Sequence, residues 1–265
     1  MLIASWNVNS IRSRLSQVTK WLEDKQPEVL CLQETKVSDK DFPYKSFENI
    51  GYSVKFYGQK SYNGVAIISK DKIVDIRYGF AGELNQLEIP EELHFQKRIL
   101  SGLINGIRIV NVYVPNSQKL DSDRFKFRKQ WNNKFRSYVS EFKREGKNII
   151  ICGDMNVAHL EIDISNPKLK KNKVAGFFDF ERQDFTFMIE SLNLIDVFRN
   201  LNPTKQRSTY WSNFLKAKRN ISNGWGIDYF LVSKELFESD KNINQTIENE
   251  ILGSDHCPII LNINV

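Results

Sequence analysis

Asp154, Asn156, Asp228, Asp255 and His256 combine carboxylates with a carboxamide and an imidazole, and each lies beside a short apolar run. Asn7, Glu34, Tyr113 and Asn116 stand at the ends of other runs of the same kind. Such a set suits metal-assisted attack of water on a phosphodiester. That reaction needs a base or orienter for the water, donors or cations for the phosphoryl oxygens, and help for the leaving oxygen. Mg²⁺ prefers oxygen ligands and keeps several waters, so one or two carboxylates hold it. Glu34 and Asp255 fit that role, with Asn7 either a neutral oxygen donor or a supporting group. Asp154 is the candidate base, and Asn156 would orient either it or the phosphate. Asp228 beside His256 would make a carboxylate–imidazole pair. The carboxylate raises the imidazole pKa and favours an imidazolium that meets phosphate charge.

Each of these residues also has a plainer use. Asp or Asn at a strand end commonly bonds its own turn. Glu34 alone would be a surface charge, and Tyr113 alone a core aromatic. His94 and His159 lack any comparable neighbourhood and read as structural. Composition does not bring strand ends together; the elements that carry them must do so.

Runs at Leu2–Trp6, Val29–Glu34, Val65–Ser69, Ile107–Val114, Asn148–Cys152, Tyr229–Val232 and Ile259–Val265 read as strands, several apolar at nearly every position. Helical spacing links Ile11, Leu15, Val18 and Leu22 before Pro27. It also links Phe127, Trp131, Phe135, Tyr138 and Phe142 before Gly146, and a third helix runs from near Arg182 to Leu192. In open α/β folds, ligands sit at strand ends. The strands are too many for one doubly wound sheet, so two packed sheets flanked by helices are expected. No repeat, low-complexity tract or linker divides residues 1–265, which read as a single domain.

Bulk properties narrow the class. A chain of 265 residues can bury a sizeable core, and 41% hydrophobic with 26% charged residues argues against disorder or fibre. A net charge of +6 and a pI near 9.0 favour a polyanionic partner such as nucleic acid. Cys31, Cys152 and Cys257 lie in or beside apolar runs without zinc-like spacing, and read as buried reduced thiols. No basic n-region precedes a long apolar stretch, and no run is long enough to cross a bilayer. The expected location is cytoplasmic, at the nucleoid in a prokaryote, with no membrane partner.

The strings around these residues follow one order. They are Ser5-Trp6-Asn7-Val8-Asn9, Leu30-Cys31-Leu32-Gln33-Glu34-Thr35-Lys36, Tyr62-Asn63-Gly64-Val65 and Tyr113-Val114-Pro115-Asn116. Then come Cys152-Gly153-Asp154-Met155-Asn156-Val157-Ala158-His159, Ile162-Asp163, Ala175-Gly176-Phe177 and Glu181-Arg182. Gly224-Trp225-Gly226-Ile227-Asp228-Tyr229-Phe230 and Gly253-Ser254-Asp255-His256-Cys257-Pro258 complete the set. Any one is a weak motif. Together, over nearly the whole chain, they resemble the exonuclease III family of apurinic/apyrimidinic (AP) endonucleases, within the endonuclease/exonuclease/phosphatase superfamily.

The resemblance implies a four-layer α/β sandwich of two packed mixed sheets flanked by helices. It implies incision of duplex DNA 5′ of abasic sites, leaving a 3′-hydroxyl, with 3′→5′ exonuclease or 3′-repair activity alongside; a monomer is expected. On this pattern Glu34 holds Mg²⁺, or Mn²⁺ in its place, with Asp255 and Asn7 nearby. Asp154 activates the water, Asn156 positions it or the phosphate, and Asp228 with His256 faces the phosphoryl oxygens. Tyr113 contacts the phosphate or the leaving side, and Asn116 the phosphate. Tyr210, Trp225 and Ile227 match the pocket for the flipped-out abasic sugar, with an apparent insertion between the first two. Lys119 and Phe214 fall where the family inserts groups into the helix, and Lys170, Lys171 and Lys173 lie in a loop that faces DNA. Without the resemblance, the pocket residues would read as core and the lysines as a solvated charge run.

The pattern also has departures. Gly226 stands where many members carry Arg, Asn9 where some carry Asp, and Ser10 where Gly is common. Residues 82–96 do not match the acidic-Gly pattern expected before Arg98. The rival readings are a superfamily phosphoesterase acting on undamaged DNA, sphingomyelin or inositol phosphates, and a DNA-binding relative without catalysis.

Overall fold

The computed structural model describes residues 1–80, 93, 95–165, 174–212 and 224–264. Alternation along the strands dictates its layering. In β8 (Asn148–Asp154), Ile150 and Cys152 point one way and Ile149 and Ile151 the other, and all four are fully buried. A strand apolar on both faces must be covered on both. One face meets a second sheet and the other meets helices.

The first sheet runs β11 (Asn244–Ile247), β12 (Ile259–Asn262), β1 (Leu2–Asn7), β2 (Val29–Gln33), β4 (Val65–Ser69), β3 (Ser53–Tyr57). The second runs β5 (Val74–Tyr78), β6 (Ile99–Ile104), β7 (Ile107–Tyr113), β8, β10 (Asp228–Ser233), β9 (Leu194–Asp196). Both are mixed. β1 pairs in parallel with β2, and β7 with β8, while the other ladders are antiparallel. Parallel neighbours need a crossover, here the helices Ile11–Lys25 and Asp123–Arg144. Ile3, Cys31 and Ile67 of the first sheet meet Ile109, Cys152 and Phe230 of the second in the central core. Trp6, Leu30 and Ile68 face the helix Ile11–Lys25, through Val18, Trp21 and Leu22. Val110, Ile149 and Leu231 face the helices Asp123–Arg144 and Asp179–Ser191, through Trp131, Phe135 and Phe185. The four-layer expectation holds.

Local signals mark the helix ends. The Ser122 hydroxyl accepts from the Phe125 N–H at 3.2 Å, and Gly146 follows the Asp123–Arg144 helix with φ +68°. Glu181 caps the next long helix by accepting the Phe178 N–H at 3.0 Å.

Several strand boundaries differ from the sequence reading. β3, β5, β6, β9 and β11 were not anticipated, and β12 ends at Asn262 rather than continuing to Val265. β8 runs on through Gly153 and Asp154, where a turn was expected. Gly153 permits this with φ +138°, because a Cβ there would lie 1.9 Å from the Val112 carbonyl oxygen. Asp154 therefore projects from a strand end, in register with Tyr113 of β7 and Asp228 of β10. Among the described residues, no helix is long and apolar enough to cross a membrane.

Candidate active site

The parallel pairs bring four strand ends to one edge of the sandwich. β1 ends on Asn7, β2 leads into Glu34, β7 ends on Tyr113, and β8 ends on Asp154. β10 begins there with Asp228, and the turn before β12 carries Asp255 and His256. Buried carboxamides lock the two sheets in this alignment. Gln33 Nε2 donates to Asn111 Oδ1 at 2.8 Å, and Asn111 Nδ2 donates to the Leu32 and Ala66 carbonyls at 2.9 and 2.8 Å.

The resulting cleft, about 370 Å³, is lined by Glu34, Asp154, Asp255 and His256 on its charged side. Tyr113, Asn116 and Asn156 form one flank, and Tyr210, Trp225 and Ile227 form the other, with Ala175, Gly176 and Ser212. Asp228 lies beneath His256, whose Nδ1 is 2.9 Å from the Asp228 carboxylate and whose Nε2 is 3.7 Å from Asp154. Burial alone would lower the His256 pKa. Asp228, Asp154 and Asp255 outweigh it and push the imidazole up to about 10, so it is an imidazolium at neutral pH. Asp154 moves the other way from a typical carboxylate. Burial raises its pKa against the pull of His256, and with Asp228 and Glu34 adding to the rise it reaches about 7.

Glu34, Asp154 and His256 each offer a ligand atom within 4.8 Å of the others. Because the imidazolium carries protons on both nitrogens, the oxygen donors of that group are the two carboxylates. Two carboxylates and solvent suit a hard cation such as Mg²⁺. Asp255 lines the same cleft, with its Oδ1 accepting from Asn9 Nδ2 at 3.1 Å. Asn7 had two roles open to it. Its Oδ1 accepts the Asn9 backbone N–H at 3.1 Å, which turns its Nδ2 to Glu34 at 2.8 Å and Asp154 at 3.0 Å. It therefore stands as a supporting donor that aligns both carboxylates.

Asn156 Nδ2 donates to the Val114 carbonyl at 2.8 Å, and its Oδ1 accepts from Asn116 Nδ2 at 3.1 Å. The Asn156 N–H in turn donates to Asp154 Oδ1 at 2.8 Å. Burial and the nearby Glu34 push the Tyr113 phenol well above its ordinary pKa, so its hydroxyl keeps its proton. Glu34 and Asn156 hold φ of +51° and +49°, conformations that cost energy for residues with a Cβ and gather at working sites.

The apolar flank has its own small core. Ile227 packs with Ala158, Ile164 and Phe177, and Tyr210 and Trp225 lean on that cluster. The backbones of Tyr210 and Trp225 pair across a β-bridge, and the Tyr210 ring lies 4.8 Å from the His256 imidazole. Lys119 stands exposed in the turn beyond Asn116 and does not line the cleft. Phe214, Lys170, Lys171 and Lys173 lie outside the described residues. His159 bonds Thr186 at 2.8 Å and stacks edgewise on Phe185, in keeping with a structural role.

Other residues that build the site were not anticipated. The fully buried Arg128 donates to the carbonyls of Pro115, Asn156 and Met155 at 2.9, 2.9 and 3.1 Å, tying together the loops of Asn116 and Asn156. Glu181 faces that guanidinium at 3.3 Å. Arg207, also fully buried, bonds both oxygens of Asp196 at 2.8 and 2.6 Å and lies over the Tyr229 ring. Its stem explains Gly226, where a Cβ would sit 2.7 Å from the Arg207 Cβ and Cγ. The missing side chain at 226 leaves room for the arginine of the neighbouring segment. Lys36 and Arg14 add cations beside Glu34 and Asn9. Sequence strings held Lys36 but gave no sign that its ammonium turns back onto Glu34.

The two-sheet architecture and the carboxylate–imidazolium cleft define a class that the comparisons identify. Residues 4–256 match the endonuclease/exonuclease/phosphatase family, and the chain belongs to it, in the branch of exonuclease III and AP endonuclease relatives. It is 35% identical to an exodeoxyribonuclease of Bacillus subtilis, with both chains covered in full. It is 38% identical to a DNA-(apurinic or apyrimidinic site) endonuclease of Dictyostelium discoideum, over 98% of this chain and 69% of that protein. The structure of an AP endonuclease from Archaeoglobus fulgidus superposes with a TM-score of 0.87 at 33% identity, covering 100% of each chain.

Proposed function

We propose that this protein, as a monomer, incises duplex DNA on the 5′ side of abasic sites by metal-assisted hydrolysis, leaving a 3′-hydroxyl. One observation carries the reading. Tyr210, Trp225 and Ile227 form an apolar flank of the same cleft that holds the carboxylate–imidazolium group. A flipped-out sugar without its base fits against such a flank, and flipping costs least where no base is stacked. The AP endonuclease relatives support the same assignment.

Glu34 would hold Mg²⁺, or Mn²⁺, with Asp255 near it, and a bound ion supplies Lewis-acid stabilisation of phosphoryl charge. The chain's own groups do the rest. Asp154 takes the proton of the attacking water, a task suited by a pKa raised to about 7. Asn156 orients that water or the phosphate, its carboxamide fixed between Val114 and Asn116. The His256 imidazolium, held by Asp228, donates to a phosphoryl oxygen as charge develops there. Tyr113 and Asn116 contact the phosphate from the other flank. The bond that breaks joins phosphorus to the 3′ oxygen of the upstream nucleotide, which leaves as the hydroxyl and retains the 3′ end. Phosphate stays on the abasic sugar. The exodeoxyribonuclease relative supports an exonuclease activity alongside, proposed to run 3′→5′.

Cleavage rates on an abasic duplex, a matched intact duplex and an inositol polyphosphate test the assignment. The abasic duplex is expected to be cut fastest. Equal or faster cleavage of either alternative would overturn it.

A further inference from the structure

We propose that Lys36 is a built-in counter-cation of the metal group. Its ammonium holds the outer oxygen of Glu34, competes there with the incoming divalent ion, and limits the site to one ion. The inference deepens the metal-assisted reading above and rests on it.

The backbone places this lysine deliberately. Glu34 and Lys36 both take positive φ, +51° and +53°. That segment is fastened on two sides. The Ser10 and Ile11 N–H groups donate to the carbonyls of Glu34 and Thr35 at 2.8 and 3.1 Å. The Thr35 and Lys36 N–H groups donate to Gly64 and Asn63 at 3.1 and 2.9 Å. A conformation this costly persists only where its surroundings over-determine it. Its result is to fold the Lys36 side chain back, so that Nζ lies 2.7 Å from Glu34 Oε2. Glu34 Oε1 faces Asn7 instead, toward Asp154.

Asn9 extends the contact into a bridge. Its Oδ1 accepts from the Lys36 ammonium, and its Nδ2 donates to Asp255 Oδ1. An aspartate at position 9 could accept from the lysine, but it would repel Asp255. The departure at Asn9 and the posture of Lys36 are thus one arrangement, linking Glu34 to Asp255 through neutral and cationic donors. Two-ion sites hold their metals about 4 Å apart between opposed carboxylates. Here the span between Glu34 and Asp255 is occupied by the lysine and the asparagine. The charge pattern agrees. Glu34, Asp154, Asp228 and Asp255 already face His256, Lys36 and Arg14. Four carboxylates against three cations leave a formal charge of −1, which one divalent ion takes to +1 and a second to +3.

Mn²⁺ titration of DNA-free protein, read by the electron paramagnetic resonance of the free ion, tests this without any turnover. The native chain is expected to bind one ion. Lys36→Met is expected to bind it about tenfold more tightly, because a like charge beside the ligand oxygen is removed, whereas loss of a supporting partner would weaken binding. Asn9→Asp combined with Lys36→Met is expected to take up a second ion. The Lys36 side chain is 29% exposed, so Lys36→Met should fold, and an unchanged circular dichroism spectrum checks this. Two ions in the native chain would overturn the inference. So would unchanged or weaker binding by Lys36→Met, since the lysine would then hold Glu34 in place for the metal. No binding by the native chain would overturn the metal-assisted reading itself.

Discussion

The floor of the cleft and its apolar flank are built on different terms. Asp154, Asp228 and His256 are 1%, 1% and 2% exposed, and each stands on or beside a strand of the packed sandwich. Tyr210 and Trp225 are half-buried, carried on segments outside the long strands and joined to each other by one isolated bridge. Proton transfer and charge stabilisation need groups fixed to a fraction of an ångström, which rigid strands provide. Choice of lesion needs a shaped wall, which loops on a scaffold can supply and vary. The two regions meet through buried cations. Arg128 fastens the loops on the floor side, and Arg207 braces the segment that carries the pocket.

On this division, damage to the floor should abolish chemistry while leaving recognition. Asp154→Asn removes the proposed proton acceptor without changing shape, and incision is expected to fall about 10³-fold, the scale of general-base loss. Abasic-duplex affinity, measured by fluorescence anisotropy, should stay within severalfold of the native protein. Near-native turnover would take Asp154 out of its role.

The brace between the regions should show first in stability. Arg207→Met leaves Asp196 without its guanidinium in a site where that side chain is 8% exposed. Breaking one partner of a buried pair costs about 3 kcal/mol, which urea unfolding would resolve. A loss under ~1 kcal/mol, the range of exposed pairs, would mean that Arg207 supports nothing essential. The smallest effect belongs to the flank. Trp225→Ala should reduce the preference for abasic over intact duplex about tenfold, the worth of one apolar contact, while the rate on a bound abasic site changes less. A uniform loss on both substrates would place Trp225 in the core rather than the pocket.

The same division governed what could be read beforehand. Floor residues announce themselves as polar groups ending apolar runs, and a family pattern links them. Arg128 and Arg207 do not, because their partners are backbone carbonyls and carboxylates far along the chain. The contact of Lys36 with Glu34 was hidden for a different reason, since it depends on two left-handed residues that no periodicity reveals. Three of the unforeseen strands lack a clean apolar run, for two reasons. β5 and β11 lie at sheet edges with exposed residues, so they lack the apolar runs of the centre, while Ser101 and Gly102 interrupt the pattern of β6. Asp154 was expected in a turn because a strand continuing through Gly153 depends on its contact with Val112, which is tertiary.

The most direct test of the account is a time course on an end-labelled duplex carrying one abasic site, with Mg²⁺ or with chelator. The expected result is a single internal cut at the 5′ side of the lesion, ending in a 3′-hydroxyl, that requires the metal and precedes any trimming from the ends. A ladder of end-trimmed products without that cut, or equal cutting in chelator, would contradict it.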